Sequence, residues 1–317
     1  MAARKHPAIA WMISFDPLLF ASRYARSILV AGLAVGIALP GLAEILSRWI
    51  PEMVVILLFF GALRLSPADL RLLGSGLPRA TAYVLIAQLA LPMAILAVAF
   101  ALDAAHSAVT LALVLLACAP PIVSSPNIAA IMRLDVATAM QLMSMGSVLL
   151  PLTALPVFWL LPALGPPEQV IAATLRLVLT ILLAGGGAII LRRVAFSKAG
   201  PAAVTVQRMD GLSVVALAIF VIALMASVSE AITQDTATFL FWLIVAFAAN
   251  FGTQLFMLCF GRDPVSGARA LVAGNRNVSL FFVALPPDVT APLLVFLGCY
   301  QLPMLLTPVL LARAYRH

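Results

Sequence analysis

The sequence predicts an all-α polytopic membrane protein of ten transmembrane helices, built as two inverted five-helix repeats, on three observations. Of its 317 residues, 64% are hydrophobic and only 10% charged, and the mean hydropathy is +1.13. Lysines and arginines gather in alternate gaps between the apolar runs. Two runs, in matching positions of the two halves, are interrupted by prolines or polar residues.

The first observation sets the solvent. A soluble domain carries roughly 45–50% apolar and about 25% charged residues, so a chain this poor in charge cannot cover itself in water. A span needs about 20 mainly apolar residues, and ten of them leave short loops with no room for a soluble domain. The net charge of +7 would suit nucleic acid if the basic residues formed a patch. They are dispersed, so the lipid bilayer is the expected partner and nucleic acid is not. Cys118, Cys259 and Cys299 lie in apolar runs at unrelated spacings and read as small buried hydrophobes, not as a disulfide framework or metal set.

Residues 1–26 come first in chain order. Arg4 and Lys5 precede a short apolar stretch, Ala8 to Ser14, which Asp16-Pro17 interrupts. A signal peptide wants a continuous apolar core and a small-residue cleavage site, so a cytoplasmic interfacial helix is expected instead. Apolar runs follow at 27–46, 52–66, 80–102, 108–133 and 136–162, which form the first repeat. After a connection at 163–168, runs at 169–191, 211–230, 237–260, 267–285 and 289–311 form the second. The short second run begins within the Trp49-Ile50-Pro51 turn, where Pro51 occupies a tolerated first-turn position.

Charge fixes the orientation. Sixteen of the 19 basic residues fall on one side: Arg4, Lys5, Arg23 and Arg26, then Arg64, Arg71 and Arg79, then Arg133, and likewise the gaps at 192–208, 262–269 and 313–316. The opposite side has Arg48 with Glu44, Glu52, Asp103, Glu168, Glu230, Asp235 and Asp288. An even number of spans with both termini cytoplasmic satisfies the positive-inside rule, and adding or deleting one span scrambles it. Arg176 lies within snorkelling reach of the outer surface. Arg276 lies about nine residues into the ninth run, roughly 14 Å deep at 1.5 Å per residue, near the midplane.

The fourth run contains Ala119-Pro120-Pro121-Ile122-Val123-Ser124-Ser125-Pro126-Asn127. Three prolines in seven residues remove three backbone donors and clash with the preceding turn, so a continuous helix is excluded. The ninth contains Val272-Ala273-Gly274-Asn275-Arg276-Asn277-Val278-Ser279, polar and helix-weak inside an apolar run. Each break lies in the fourth span of its half, and a shift of five spans inverts the topology of one half against the other. Paired interrupted helices in inverted halves point to a substrate site at the midplane and hence to a transporter. The backbone freed there must be buried in protein or line a cavity.

Phe60-Gly61-Ala62-Leu63-Arg64-Leu65-Ser66-Pro67-Ala68-Asp69-Leu70, Ala87-Gln88-Leu89-Ala90-Leu91-Pro92, the stretch Pro121 to Asn127, and Gly274-Asn275-Arg276-Asn277 together resemble the bile acid/sodium symporter family, in span order over nearly the whole chain. The resemblance implies a bacterial inner-membrane homologue with a panel domain (spans one, two, six and seven) and a core domain in which the two broken helices cross. It also implies uptake of organic anions, bile-acid-like or pantoate-like carboxylates, usually driven by two sodium ions.

The departures from the family pattern bear on that coupling. Ile122-Val123 stand where the family has two glycines, Pro126 where it has serine, Val272 where it has glutamate and Arg276 where it has glutamine. The family's hydroxyl ligands in the fifth span fall on Ala139 and Met143, each one residue from a hydroxyl at Thr138 or Ser144, and only Gln88, Asn127 and Asn277 are clearly kept. The sodium sites are therefore expected not to be intact, and neither a metal nor another cofactor is expected. An arginine at the bilayer centre costs at least ~2.5–3.5 kcal/mol on insertion scales and faces a polar environment when retained. Two roles for Arg276 follow: a tethered cation that braces the crossing in place of sodium, or a direct ligand of the substrate anion. The residues expected at the substrate and crossing region are Pro120, Pro121, Ser124, Ser125, Pro126, Asn127, Gly274, Asn275, Arg276 and Asn277. An ordinary sodium-coupled symporter and a passive anion-selective channel are the alternatives. An enzyme is not expected, because Ser124 and Ser125 have no histidine partner: His106 is loop-side, and His6 and His317 are terminal.

Overall fold

The computed structural model describes residues 16–64, 77–195 and 203–316. Arg4, Lys5, the motif residues Leu65 to Leu70, Arg71 and Lys198 lie outside the described residues. Every regular element among those described is helical. Six helices there are long and apolar enough to cross a membrane, and two bent helix pairs raise the number to at most eight. The protein is a helical membrane protein.

The chain enters through α1 (Pro17–Arg23), capped by Asp16, whose carboxylate accepts from the Leu18 and Leu19 N–H groups. It turns by 92° into α2 (Ala25–Ala38). The first apolar run, 27–46, is not one helix: α2 ends and α3 (Pro40–Ser47) begins anew. Proline pushes the residue before it out of the α region, and Leu39 sits at φ −122°, ψ 68°. Next comes α4 (Ile50–Arg64), which starts in the Trp49-Ile50-Pro51 turn and lies at 75° to α3.

A 25-residue rod follows, α5 (Leu77–Leu85) and α6 (Leu91–Ala101) joined by a π-helical turn at Ile86–Ala90. Pro92 cannot donate to the Gln88 carbonyl and its ring crowds that oxygen. Widening the turn relieves the clash, with the Leu91 N–H reaching the Ile86 carbonyl. The fourth run breaks into α7 (Ala108–Cys118) and α8 (Ser125–Ile131). Then come α9 (Val136–Leu160), capped by Asp135, α10 (Pro167–Ala195), α11 (Ala203–Gln234) and α12 (Thr236–Leu258). The ninth run breaks into α13 (Pro264–Gly274) and, beyond a 3₁₀ turn at Val278–Leu280, α14 (Phe281–Ala284). The chain closes with α15 (Pro287–Thr290), a further 3₁₀ turn, and α16 (Leu294–Leu310).

Packing gathers these helices around two apolar clusters. Helix α11 runs against α1, α2, α3, α4 and α16, and α10 lies on α4, α9 and α14. Helix α9 contacts α5, α7, α8 and α13, while α12 carries both α13 and α16. The larger cluster includes Phe158, Phe281, Phe296 and Tyr300, with the Phe158 and Phe281 rings edge-on at 5.6 Å. The smaller one joins Ala139, Leu142, Leu271 and Val272. Lipid is as apolar as these side chains, so their contribution is close packing rather than removal from water. The outer surface is equally apolar: Leu152 and Leu183 are 71% exposed and Phe260 73%. A surface of this kind needs lipid around it.

Candidate functional site

The two interrupted runs meet in the middle of the molecule. Helix α7 ends at Cys118 and Ala119 turns extended (φ −63°, ψ 148°), while α13 ends at Gly274 and Asn275 turns extended as well. Pro120 and Pro121 have no N–H to satisfy, so an extended segment there leaves few donors unpaired. Those that exist are met across the gap. The Ile122 N–H donates to the Asn275 carbonyl (3.0 Å) and the Asn277 N–H to the Pro120 carbonyl (2.7 Å). Pro121 and Arg276 thereby form an antiparallel bridge, so the two segments run in opposite directions.

Arg276 is buried at this bridge. Its Nε donates to the Ala273 carbonyl (2.9 Å) and its Nη1 to the Ala119 carbonyl (2.9 Å). One acceptor belongs to the last turn of α13 and the other caps α7. Each helix C-terminus carries roughly half a negative charge, so two converging ends offset about one guanidinium. The electrostatics of the crossing close on a side chain that the protein supplies itself.

Gln88 reaches the same point from the π-helical turn. Its Nε2 lies 3.5 Å from the Ala119 carbonyl, and its Oε1 lies 3.5 Å from the Thr153 hydroxyl of α9. Gly146 of α9 permits this approach: a Cβ there would stand 2.6 Å from Gln88 Nε2 and 2.9 Å from Pro121 Cδ. The π turn was not foreseen, and it is what aims Gln88 at the crossing.

A second polar layer, absent from the residues picked out in the sequence, backs α13. Asn250 of α12 donates from Nδ2 to the Gly274 carbonyl (2.6 Å), and the Tyr300 hydroxyl of α16 donates to the same oxygen. Tyr300 also lies within 3.4 Å of the Arg276 N–H. Gln254 donates to Asn250 Oδ1 (2.6 Å) and to the Thr307 hydroxyl (3.1 Å), and accepts from the Tyr315 hydroxyl (2.7 Å). All five side chains are buried. The available signal was Asn250 and Gln254, one turn apart on one face of an apolar run, since polar groups in spans seek interhelical partners.

The other expected residues divide between the crossing and its surroundings. Ser124 precedes α8 without a side-chain capping hydrogen bond, and Ser125 is fully buried with no hydrogen-bond partner for its hydroxyl. Asn277 accepts from the Ser279 hydroxyl (2.6 Å) beside the crossing. Val272 and Ala139 pack in the smaller apolar cluster. Pro126 and Asn127 line a cleft of 160 Å³ together with Met143 and with Val206 and Asp210 of α11. At the positions where the resemblance implies sodium ligands, Val272, Ala139 and Met143 offer no oxygen side chain, and the Ala119 and Ala273 carbonyls at the crossing accept from a guanidinium. Among the described residues no group of three His, Cys, Asp or Glu could hold a metal.

Compared with known proteins, the chain matches no family model and no curated sequence.

Proposed function

We propose that this chain is a secondary transporter of small organic anions that works by alternating access, with Arg276 as the fixed cation of its crossing. The observation that carries the reading is the antiparallel pairing of the Pro121 and Arg276 segments around a buried guanidinium. Oppositely directed half-helices are what two inverted five-span repeats bring together, and discontinuous helices meeting at the midplane are the usual frame of a carrier site. On this reading the protein has ten spans, with α7–α8 as the fourth and α13–α14 as the ninth. Spans one, two, six and seven form a panel and the rest a core. Both termini face the cytoplasm, and the protein sits in a bacterial inner membrane. The resemblance to the bile acid/sodium symporters supports the substrate class.

Of the two roles open to Arg276, the geometry favours the brace. Two of its five N–H groups are committed to backbone carbonyls at helix ends. The cleft beside Asn127 is the proposed substrate path. At 160 Å³ it is smaller than the roughly 300–1,000 Å³ of drug-sized ligand sites, which suits a small carboxylate or a cleft that opens further during the cycle.

Thermal unfolding of the purified protein against a panel of organic acids, each in sodium and in potassium chloride, tests this reading. An acid present at 100 times its Kd stabilises by about 2.7 kcal/mol. The expected result is stabilisation by one class of acid, equal in both salts. Stabilisation by none, or only in sodium, contradicts it.

A further inference from the structure

We propose that Asn250, Gln254, Tyr300 and Tyr315 form a positioning chain that sets the guanidinium of Arg276 across the two helix ends. The proposal rests on the reading of Arg276 as the fixed cation of the crossing, and assigns the residues that hold it there.

The directions of the hydrogen bonds are forced, starting from the crossing. The Gly274 carbonyl can only accept, so Asn250 must turn Nδ2 toward it (2.6 Å). Asn250 Oδ1 then faces Gln254, which must answer with Nε2 (2.6 Å). Gln254 Oε1 is left facing Tyr315, whose hydroxyl must donate (2.7 Å). No link can reverse without setting two donors or two acceptors against each other. The chain thus specifies one arrangement, from the turn after α16 to the last carbonyl of α13.

Tyr300 adds the second hold. Its hydroxyl donates to the Gly274 carbonyl and lies against the Arg276 N–H, so it holds the two peptide groups on either side of Asn275. Asn275 itself is tied back by Nδ2 to the Leu271 carbonyl (2.9 Å) and gives its own carbonyl to Ile122. The backbone from Gly274 to Arg276 is therefore held on every side. From that fixed root the Arg276 side chain reaches the Ala119 carbonyl of the other half-helix. The four side chains of the positioning chain carry no charge; Arg276, rooted at the end of α13, is the residue that reaches α7. The part of the chain is to place the guanidinium, and with it the joint on which the two broken helices turn.

The test reads the position of Arg276 directly. Protein in native membranes is exposed to an arginine-selective dicarbonyl, phenylglyoxal, and modification of Arg276 is read by peptide mass mapping. In the wild type Arg276 is protected. Tyr300→Phe, Asn250→Ala and Tyr315→Phe are expected to raise its modification rate at least ten-fold. Phe158→Leu, a core variant outside the chain that lowers Tm, is expected to leave it protected. Continued protection in the three chain variants overturns the proposal, as does equal exposure in Phe158→Leu. If Tyr300→Phe or Asn250→Ala does not accumulate folded, Tyr315→Phe at the far end decides alone on the same criterion. Because labelling needs no transport, its failure is separable from failure of the transporter reading, which the acid screen reports.

Discussion

Replacing Arg276 with methionine keeps an unbranched side chain of similar length and removes the charge. The two hydrogen bonds to Ala119 and Ala273 are charge-assisted, and each is worth about 1.5–3 kcal/mol, so their gross loss is about 3–6 kcal/mol. Against this, the variant no longer holds a charge at the bilayer centre, which recovers about 2.5–3.5 kcal/mol on insertion scales. The Ala119 carbonyl keeps Gln88 Nε2 at 3.5 Å as a weak partner, whereas no other side chain donates to the Ala273 carbonyl among the described residues. The net expectation is a destabilisation of about 0.5–2.5 kcal/mol, or a Tm lower by about 1–10 °C, using 2–4 °C per kcal/mol. A thiol-reactive dye measures it well, because Cys118 and Cys299 are buried and react on unfolding, while the exposed Cys259 gives a constant baseline. An Arg276→Met protein at or above the wild-type Tm would refute the view that the guanidinium braces the crossing.

Further outcomes follow from other parts of the structure. Gly146→Ala places a methyl group against Gln88 and Pro121; overpacking of this kind costs about 1–3 kcal/mol, and a dye-monitored Tm equal to wild type would count against the close approach. The Ser266 hydroxyl, with the backbone N–H groups of Ser266 and Val265, holds the Asp263 carboxyl below its ordinary value of 3.8. Its stabilisation of the α13 N-terminus is therefore complete above the unfolded-state value of about 3.9 and is lost as pH falls through the lower folded value. The Tm difference between wild type and Asp263→Ala is expected to be constant from neutral pH to about 5 and to vanish on further acidification; a difference that persists at low pH contradicts the cap. Arg208 similarly lowers the Asp16 carboxyl, so the protection of α1 against hydrogen exchange, taken relative to the intrinsic rate at each pH, is expected to fall on acidification, and unchanged protection would argue that the 2.6 Å pair does not hold α1 to α11.

The features legible in the sequence were those encoded by single local conflicts. Three prolines at 120, 121 and 126 deny a helix its donors, and Asn275-Arg276-Asn277 sits in an otherwise apolar run, so both breaks could be placed to within a few residues. The Leu39-Pro40 break is of the same chemical kind but was read through, because the run around it is apolar and of spanning length. The π turn has a local cause in Pro92, yet its effect, the aim of Gln88, depends on where α9 passes. Depth along a helix could be counted for Arg276. Its acceptors could not, because Ala119 lies 157 positions away and offers only a backbone oxygen, which every residue has. The chain from Gly274 to Tyr315 is drawn from α12, α13 and the C-terminal turn, with Tyr300 of α16 holding the peptide groups on either side of Asn275. Single-sequence periodicity says nothing about which spans face one another.

Counterflow of a labelled organic acid in proteoliposomes tests the central claim most directly. Vesicles preloaded with the unlabelled acid that best stabilises the protein are diluted into the labelled one, in sodium and in potassium buffers. The account predicts a transient, saturable accumulation of label of equal size in both buffers, abolished by Arg276→Ala. Accumulation that requires sodium, or flux that neither saturates nor exchanges, would contradict a carrier whose cation is part of its own chain.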